Sequence, residues 1–318
     1  MAQLQSTSIT GSLNMATVGN TGSVGNLWFN TTTNKLNLSY CFTGGLWSAG
    51  GAMITARCAL GGAGATNTAA LAFGGLSPTN VACTEAYNGT SWSAGGAMIT
   101  ARSNLAGAGT NTAALAFGGS TPSAVACTEA YNGTSWSAGS AMITARSALA
   151  GAGTNTAALA FGGQIPAVAC TETYNGTSWS AGGAMITARS NLAGAGTNTA
   201  ALAFGGATPS TVACTETYNG STWSAGGTMI VARNCLAGAG TNTAALAFGG
   251  LSPATVACTE TYNGTSWSAG GALITARRGL AGAGTNTAAL AFGGATPSTV
   301  VACTETLTSF NQIFVCTI

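Results

Sequence analysis

The chain contains no histidine and no aspartate, and only 14 of its 318 residues are charged: six Glu, seven Arg and Lys35. Without His or Asp, the Ser-His-Asp triad, the usual general bases and most zinc or calcium ligand sets are unavailable. An enzyme is therefore not expected, nor is a cofactor or a metal site. A formal net charge of +2 supplies no basic face for nucleic acid. No run approaches the ~18 apolar residues of a membrane span, so no membrane insertion is expected. The opening Met1-Ala2-Gln3-Leu4-Gln5 also lacks the basic start and apolar core of a signal peptide.

Glycine is abundant instead, with 48 residues, yet 46% of the chain is hydrophobic and its aromatics are regularly spaced, so a packed core is expected rather than a linker. The regularity comes from repetition. The stretch "LAGAGTNTAALAFGG" begins at Leu105 and returns at Leu149, Leu192, Leu236 and Leu280. Phe73, Phe117, Phe161, Phe204, Phe248 and Phe292 follow one another at intervals of 44, 44, 43, 44 and 44 residues. Trp47, Trp92, Trp136, Trp179, Trp223 and Trp267 keep the same rhythm, each ten residues before an Arg.

Solenoids and propellers share such a period, and the strand pattern separates them. Thr112–Gly119 alternates Leu115 and Phe117 with alanines, as a strand does. Val125–Tyr131 alternates likewise, placing Val125, Cys127, Glu129 and Tyr131 on one side. Asn132-Gly133 signals a two-residue hairpin, and Ser135-Trp136-Ser137 opens another strand. Leu105–Gly109 is a strand almost without side chains, which suits backbones crowded around an axis. The expectation is an all-β, six-bladed propeller with four-stranded blades.

The Gly-Gly doublet closing the second strand, Glu-x-Tyr on the third, the Trp after the hairpin and the Arg entering the next blade resemble the kelch repeat over roughly residues 45–306. Kelch units are longer, nearer fifty residues. The resemblance implies a β-propeller with short loops.

Each unit holds one Arg and one Glu: Arg57 and Glu85, Arg102 and Glu129, Arg146 and Glu172, Arg189 and Glu216, Arg233 and Glu260, Arg277 and Glu305. A cation-binding ring of carboxylates is one reading. The favoured one is a structural ion pair, because a partly buried Glu has no other partner than Arg. Six repeated cysteines, Cys83, Cys127, Cys170, Cys214, Cys258 and Cys303, are expected as buried free thiols.

The copies differ in two places. One is the Pro-containing loop after Gly-Gly, which includes Ser77, Asn80, Thr121, Ser123, Gln164, Ile165, Thr208 and Thr296. The other is the residue pair after each Arg, which includes Ser103, Asn104, Ser190, Asn191, Asn234 and Arg278. Up-and-down topology puts both on one face. Diversity there has two readings, a ligand surface or relaxed constraint on exposed loops. The Ser, Thr and Asn side chains suit hydroxyl-bearing ligands such as glycans.

Residues 1–44 break the repeat. Leu27–Tyr40 reads as a β-hairpin around Thr31–Asn34. It resembles the Gly-x-Leu-Trp/Tyr-Phe/Tyr-Asn-x-x-Thr-x-x-Leu segment of tail-fibre and other virion proteins of bacteriophages, where similar Gly-Thr-Asn-Thr-Ala-Ala-Leu-Ala-Phe-Gly-Gly units occur. That resemblance implies a virion structural protein located on the particle surface, or otherwise extracellular. Residues 1–44 would attach it to other virion proteins and the propeller at 45–306 would meet a host-surface glycan or protein, with a homo-oligomer left open. A non-viral kelch scaffold binding a protein partner is the alternative. A polysaccharide-cleaving propeller would need paired carboxylates that one Glu per unit does not supply.

The ends complement each other. The sixth unit has no outer strand, whereas Gly45–Met53 is an outer strand with no blade. Their pairing would close the ring, with residues 307–318 as a closing tail. Leu36–Phe42 and Phe310–Ile318 would then compete beside the seam, and pairing between them would allow a Cys41–Cys316 disulfide.

Overall fold

The computed structural model describes the backbone of residues 27–30, 35–164 and 167–317, and the side chains of residues 45–164 and 167–309. Ile165 and the turn at 31–34 lie outside these residues. The described secondary structure is all β: six antiparallel sheets form the blades of a propeller, and four two-stranded ones lie in the Pro-containing loops.

One blade shows the design. Ala106–Gly109 lies innermost, then Ala114–Phe117, Thr128–Tyr131 and the outermost Trp136–Ala138. The third strand starts at Thr128, so Val125 and Cys127, read from the sequence as strand, lie outside it. The turn that follows is a four-residue loop rather than a two-residue one, since Tyr131 pairs with Trp136. Asn132 Oδ1 accepts from the backbone N–H groups of Thr134 and Ser135 at 3.0 and 2.9 Å, which stabilises the longer loop without a tight Asn-Gly bend.

All six inner strands line one central channel. The Gly-Ala alternation is a requirement of that crowding. A Cβ at Gly107 would stand 2.6 Å from Cζ of Phe73 and 2.5 Å from the carbonyl oxygen of Gly62, both in the preceding blade. Between blades the core is aromatic: Trp136 lies 5.1 Å from Phe73 of the preceding blade and 5.0 Å from its own Tyr131. Its Nε1 donates to Oγ1 of Thr84, again in the preceding blade, at 2.8 Å.

The seam uses the same contacts. Trp47 Nε1 donates to Thr259 at 3.2 Å, and Trp92 Nε1 donates to Thr304 at 2.9 Å, so bonds that are local elsewhere here link residues 212 apart. The sixth blade consists of Ala281–Gly284, Ala289–Phe292, the start of Thr304–Thr317 and the end of Lys35–Ala49.

The two long strands stay paired beyond the blade, from Leu46 opposite Thr308 to Asn37 opposite Thr317. They form a ribbon about 30 Å long at ~3.3 Å per residue. Leu27–Asn30 adds a third strand, pairing with Lys35–Leu38 on either side of the predicted turn. Leu36–Phe42 and the tail therefore pair instead of competing, and neither strand breaks at 44/45 or 306/307. The register sets Cys41 opposite Ile313 and Cys316 opposite Leu38. That offset of three residues, about 10 Å, exceeds disulfide reach.

Candidate functional site

The third strand of each ordinary blade ends at the Asn-Gly loop, and its partner begins there. In the sixth blade, Leu307 and Trp47 occupy those two positions, and the chain continues into the ribbon instead of turning. The ribbon thus leaves the disc on the Asn-Gly side. The Pro-containing loops and the links between blades lie on the other side.

On that other side the two variable segments meet. The first residue after each Arg pairs with the first residue after Gly-Gly, as in Ser103 with Ser120, Ser147 with Gln164, Asn234 with Leu251 and Arg278 with Ala295. Asn104, Ser123, Gln164 and Arg278 are exposed, and Ser77, Asn80, Thr121, Asn191, Thr208, Asn234 and Thr296 are partly so. Ser103 and Ser190 are only 4% and 7% exposed, so they support the surface from below instead of facing a ligand. Asn80 is occupied too, its Nδ2 donating to the carbonyl of Ser120 in the next blade at 2.8 Å.

The second residue after each Arg forms a feature that sequence reading missed. Ala59 donates its backbone N–H to Gly279 at 2.7 Å. Asn104 then donates to Ala59, Ala148 to Asn104, Asn191 to Ala148, Cys235 to Asn191 and Gly279 to Cys235, each at 2.8 Å. The six peptides close a circle of hydrogen bonds around the axis. All six residues adopt left-handed backbone, with φ between 51° and 59°. Asn and Gly favour that region, and their recurrence at 104, 191 and 279 was the available signal. Ala59, Ala148 and Cys235 are strained there.

Replacing Ala59 and Ala148 by Gly is expected to raise stability by roughly 0.5–1 kcal/mol each, since the strain relieved exceeds the added freedom of the unfolded chain. Denaturant unfolding would show a higher midpoint, and a lower one would mean that the circle carries no strain.

The circle surrounds a funnel of about 350 Å³ at the mouth of the axis. Leu60, Leu105, Leu149, Leu192, Leu236 and Leu280 form its wall, and Asn104, Asn191, Cys58, Cys235 and Arg278 also line it. Burial pushes the Cys58 and Cys235 thiols above their ordinary values, and the nearby Arg278 guanidinium opposes both shifts.

The Arg–Glu pairs lie deeper than expected. Each Arg is 0% and each Glu 2% exposed, with N–O distances of 2.7 to 3.3 Å. Glu172 Oε2 and Oε1 accept from the backbone N–H groups of Ile143 and Thr144 at 2.7 and 3.3 Å. Those residues belong to the link from the previous blade, so the carboxylate fastens one blade to the next. Arg146 Nη1 donates to the carbonyl of Cys170 at 2.7 Å. Burial lowers the Arg146 guanidinium from its ordinary value, and Glu172 opposes the shift. The six repeated cysteines are free but only half-buried, because each follows the loop at the edge of its blade.

The fold defines the chain as a six-bladed β-propeller. The solved structure of YjhT is similar, with a TM-score of 0.67 over 84% of this chain and 99% of that one, at 13% identity. No family model and no curated protein matches the chain. At that identity the likeness concerns architecture alone, and 303 solved chains share enough of it to match.

Proposed function

We propose that the chain is a kelch-like display protein of a bacteriophage particle, of the tail-fibre or decoration kind. The ribbon and residues 1–44 hold it to other virion proteins, and the propeller meets a host-surface glycan or protein. One observation carries this reading: the ribbon leaves the disc on the side opposite the variable loops, so a disc held by it presents those loops outward. The resemblance of Leu27–Tyr40 to phage tail segments supplies the setting. A binding rather than catalytic role is supported by the carboxylates, since all six Glu side chains are buried against Arg and the chain has no Asp or His.

A second reading, a non-viral scaffold for a protein partner, is favoured by a different feature. Ile54, Ile99, Ile143, Ile186, Ile230 and Ile274, at equivalent places in the links, are 59–62% exposed. Apolar side chains left open at every repeat suit a protein surface.

The test measures adhesion of the labelled chain to bacterial cells. Gln164→Ala combined with Arg278→Ala is expected to weaken it at least roughly tenfold, the size of a lost hot spot. Asn132→Ala, on the ribbon side, is expected to leave it unchanged. Loss of adhesion on the ribbon side alone would reverse the assigned orientation. Binding abolished only by replacing the isoleucines would favour the scaffold.

A further inference from the structure

The sixfold repeat is broken at one sector of the funnel. Five of the six residues in the hydrogen-bonded circle carry a side chain; the sixth is Gly279. A Cβ there would stand 3.3 Å from the backbone nitrogen of Ala59 and 3.7 Å from Cβ of Cys58, so the glycine leaves room beside Cys58 that a side chain would fill. Arg278 adjoins it, where the other units carry Cys, Ser or Asn. The remaining Arg side chains of the described residues are buried in ion pairs, whereas Arg278 is exposed and makes no salt bridge among them. A side chain removed, a cation added and two thiols close by therefore coincide in one wall of a cavity whose six leucines repeat unchanged.

We infer that this sector binds the carboxylate or sulfate group of an acidic sugar, with Arg278 meeting the oxyanion and the leucine wall receiving the apolar face of the ring. The inference rests on the assignment of this side as the ligand face and gives that face its chemistry. A planar guanidinium offers paired donors to an oxyanion. Asn104 and Asn191 line the same funnel; each donates one amide hydrogen to the hydroxyl of the preceding serine, at 3.4 and 3.5 Å, and keeps a second hydrogen and an acceptor oxygen for ring hydroxyls. The volume of about 350 Å³ falls within the ~300–1,000 Å³ of small-molecule sites. One acidic sugar per disc is the resulting stoichiometry, because only one sector carries the charge.

Cys58 and Cys235 report occupancy directly. The full chain is alkylated with iodoacetamide at mildly alkaline pH, with D-glucuronate, glucose 6-sulfate or D-glucose present, and modification is followed peptide by peptide. Cys127, outside the funnel, serves as the internal control. The acidic sugars are expected to slow alkylation of Cys58 and Cys235 roughly tenfold at about ten times Kd, with Cys127 unaffected. Protection by only one of them identifies the anion as carboxylate or sulfate. Arg278→Gln is expected to remove the protection without shifting the melting temperature.

Equal protection by glucose, or protection that survives Arg278→Gln, overturns the inference. Cell adhesion measured on the same proteins separates the two levels. Adhesion that persists while no sugar protects the thiols refutes the funnel site alone. Thiol protection without adhesion leaves the site standing and removes the display function.

Discussion

A chain lacking residues 1–53 is expected to lose its closed ring and to aggregate. Trp47–Ala49 is the outer strand of the sixth blade, paired with Glu305–Leu307. Its removal leaves an unpaired strand edge, which templates association with other chains. It also removes Trp47, which packs 5.2 Å from Phe248 and bonds Thr259 of the fifth blade, and Met53, whose N–H donates to Ala302. Leu307, 3% exposed in the closed ring, would be uncovered. Deleting residues 307–318 is milder, because Glu305 and Thr306 still pair with Ala49 and Ser48. Size-exclusion chromatography with light scattering distinguishes the two. A monomeric, cooperatively melting 54–318 chain would show that the blade-to-blade contacts close the ring without the N-terminal strand.

Glu172→Gln is expected to destabilise the propeller by about 3–5 kcal/mol, the cost of breaking one buried ion pair by removing one partner's charge. The amide can still accept from the N–H of Ile143, but Arg146, 0% exposed, loses its only anion. Its remaining acceptors are the backbone carbonyls of Ala160, Gly162 and Cys170. At this chain length each kcal/mol corresponds to roughly 2 °C, so the melting temperature should fall by roughly 6–10 °C. An unchanged melting temperature would mean that solvent reaches the pair. Because Glu172 also joins two blades, the loss should appear as earlier hydrogen exchange at Ile143 and Thr144 before the other blades open.

The sequence alone determined the number of blades, the order of strands within them, the crowded inner strand and the complementary ends. Each follows from a pattern local enough to read: the 44-residue recurrence of Phe and Trp, the alternation at Leu115 and Phe117, and the unit split between Trp47 and Glu305. The partnership of Arg and Glu was legible from composition, because each unit repeats one of each and only Lys35 and Arg278 stand outside that count. Other features depended on distances between residues far apart in the chain, and only the tertiary structure decided them. The circle joining Ala59, Asn104, Ala148, Asn191, Cys235 and Gly279 exists because six links converge on one axis, and that convergence holds Ala and Cys in a backbone region that their own preferences oppose. The full burial of Glu172 follows from the link of the preceding blade, with Ile143, Thr144 and Arg146, folding against it, and the register of Cys41 against Ile313 from the fixed point where the seam begins. The direction in which the ribbon leaves the disc, on which the functional reading depends, was likewise set by which end of the sixth blade the chain enters and leaves.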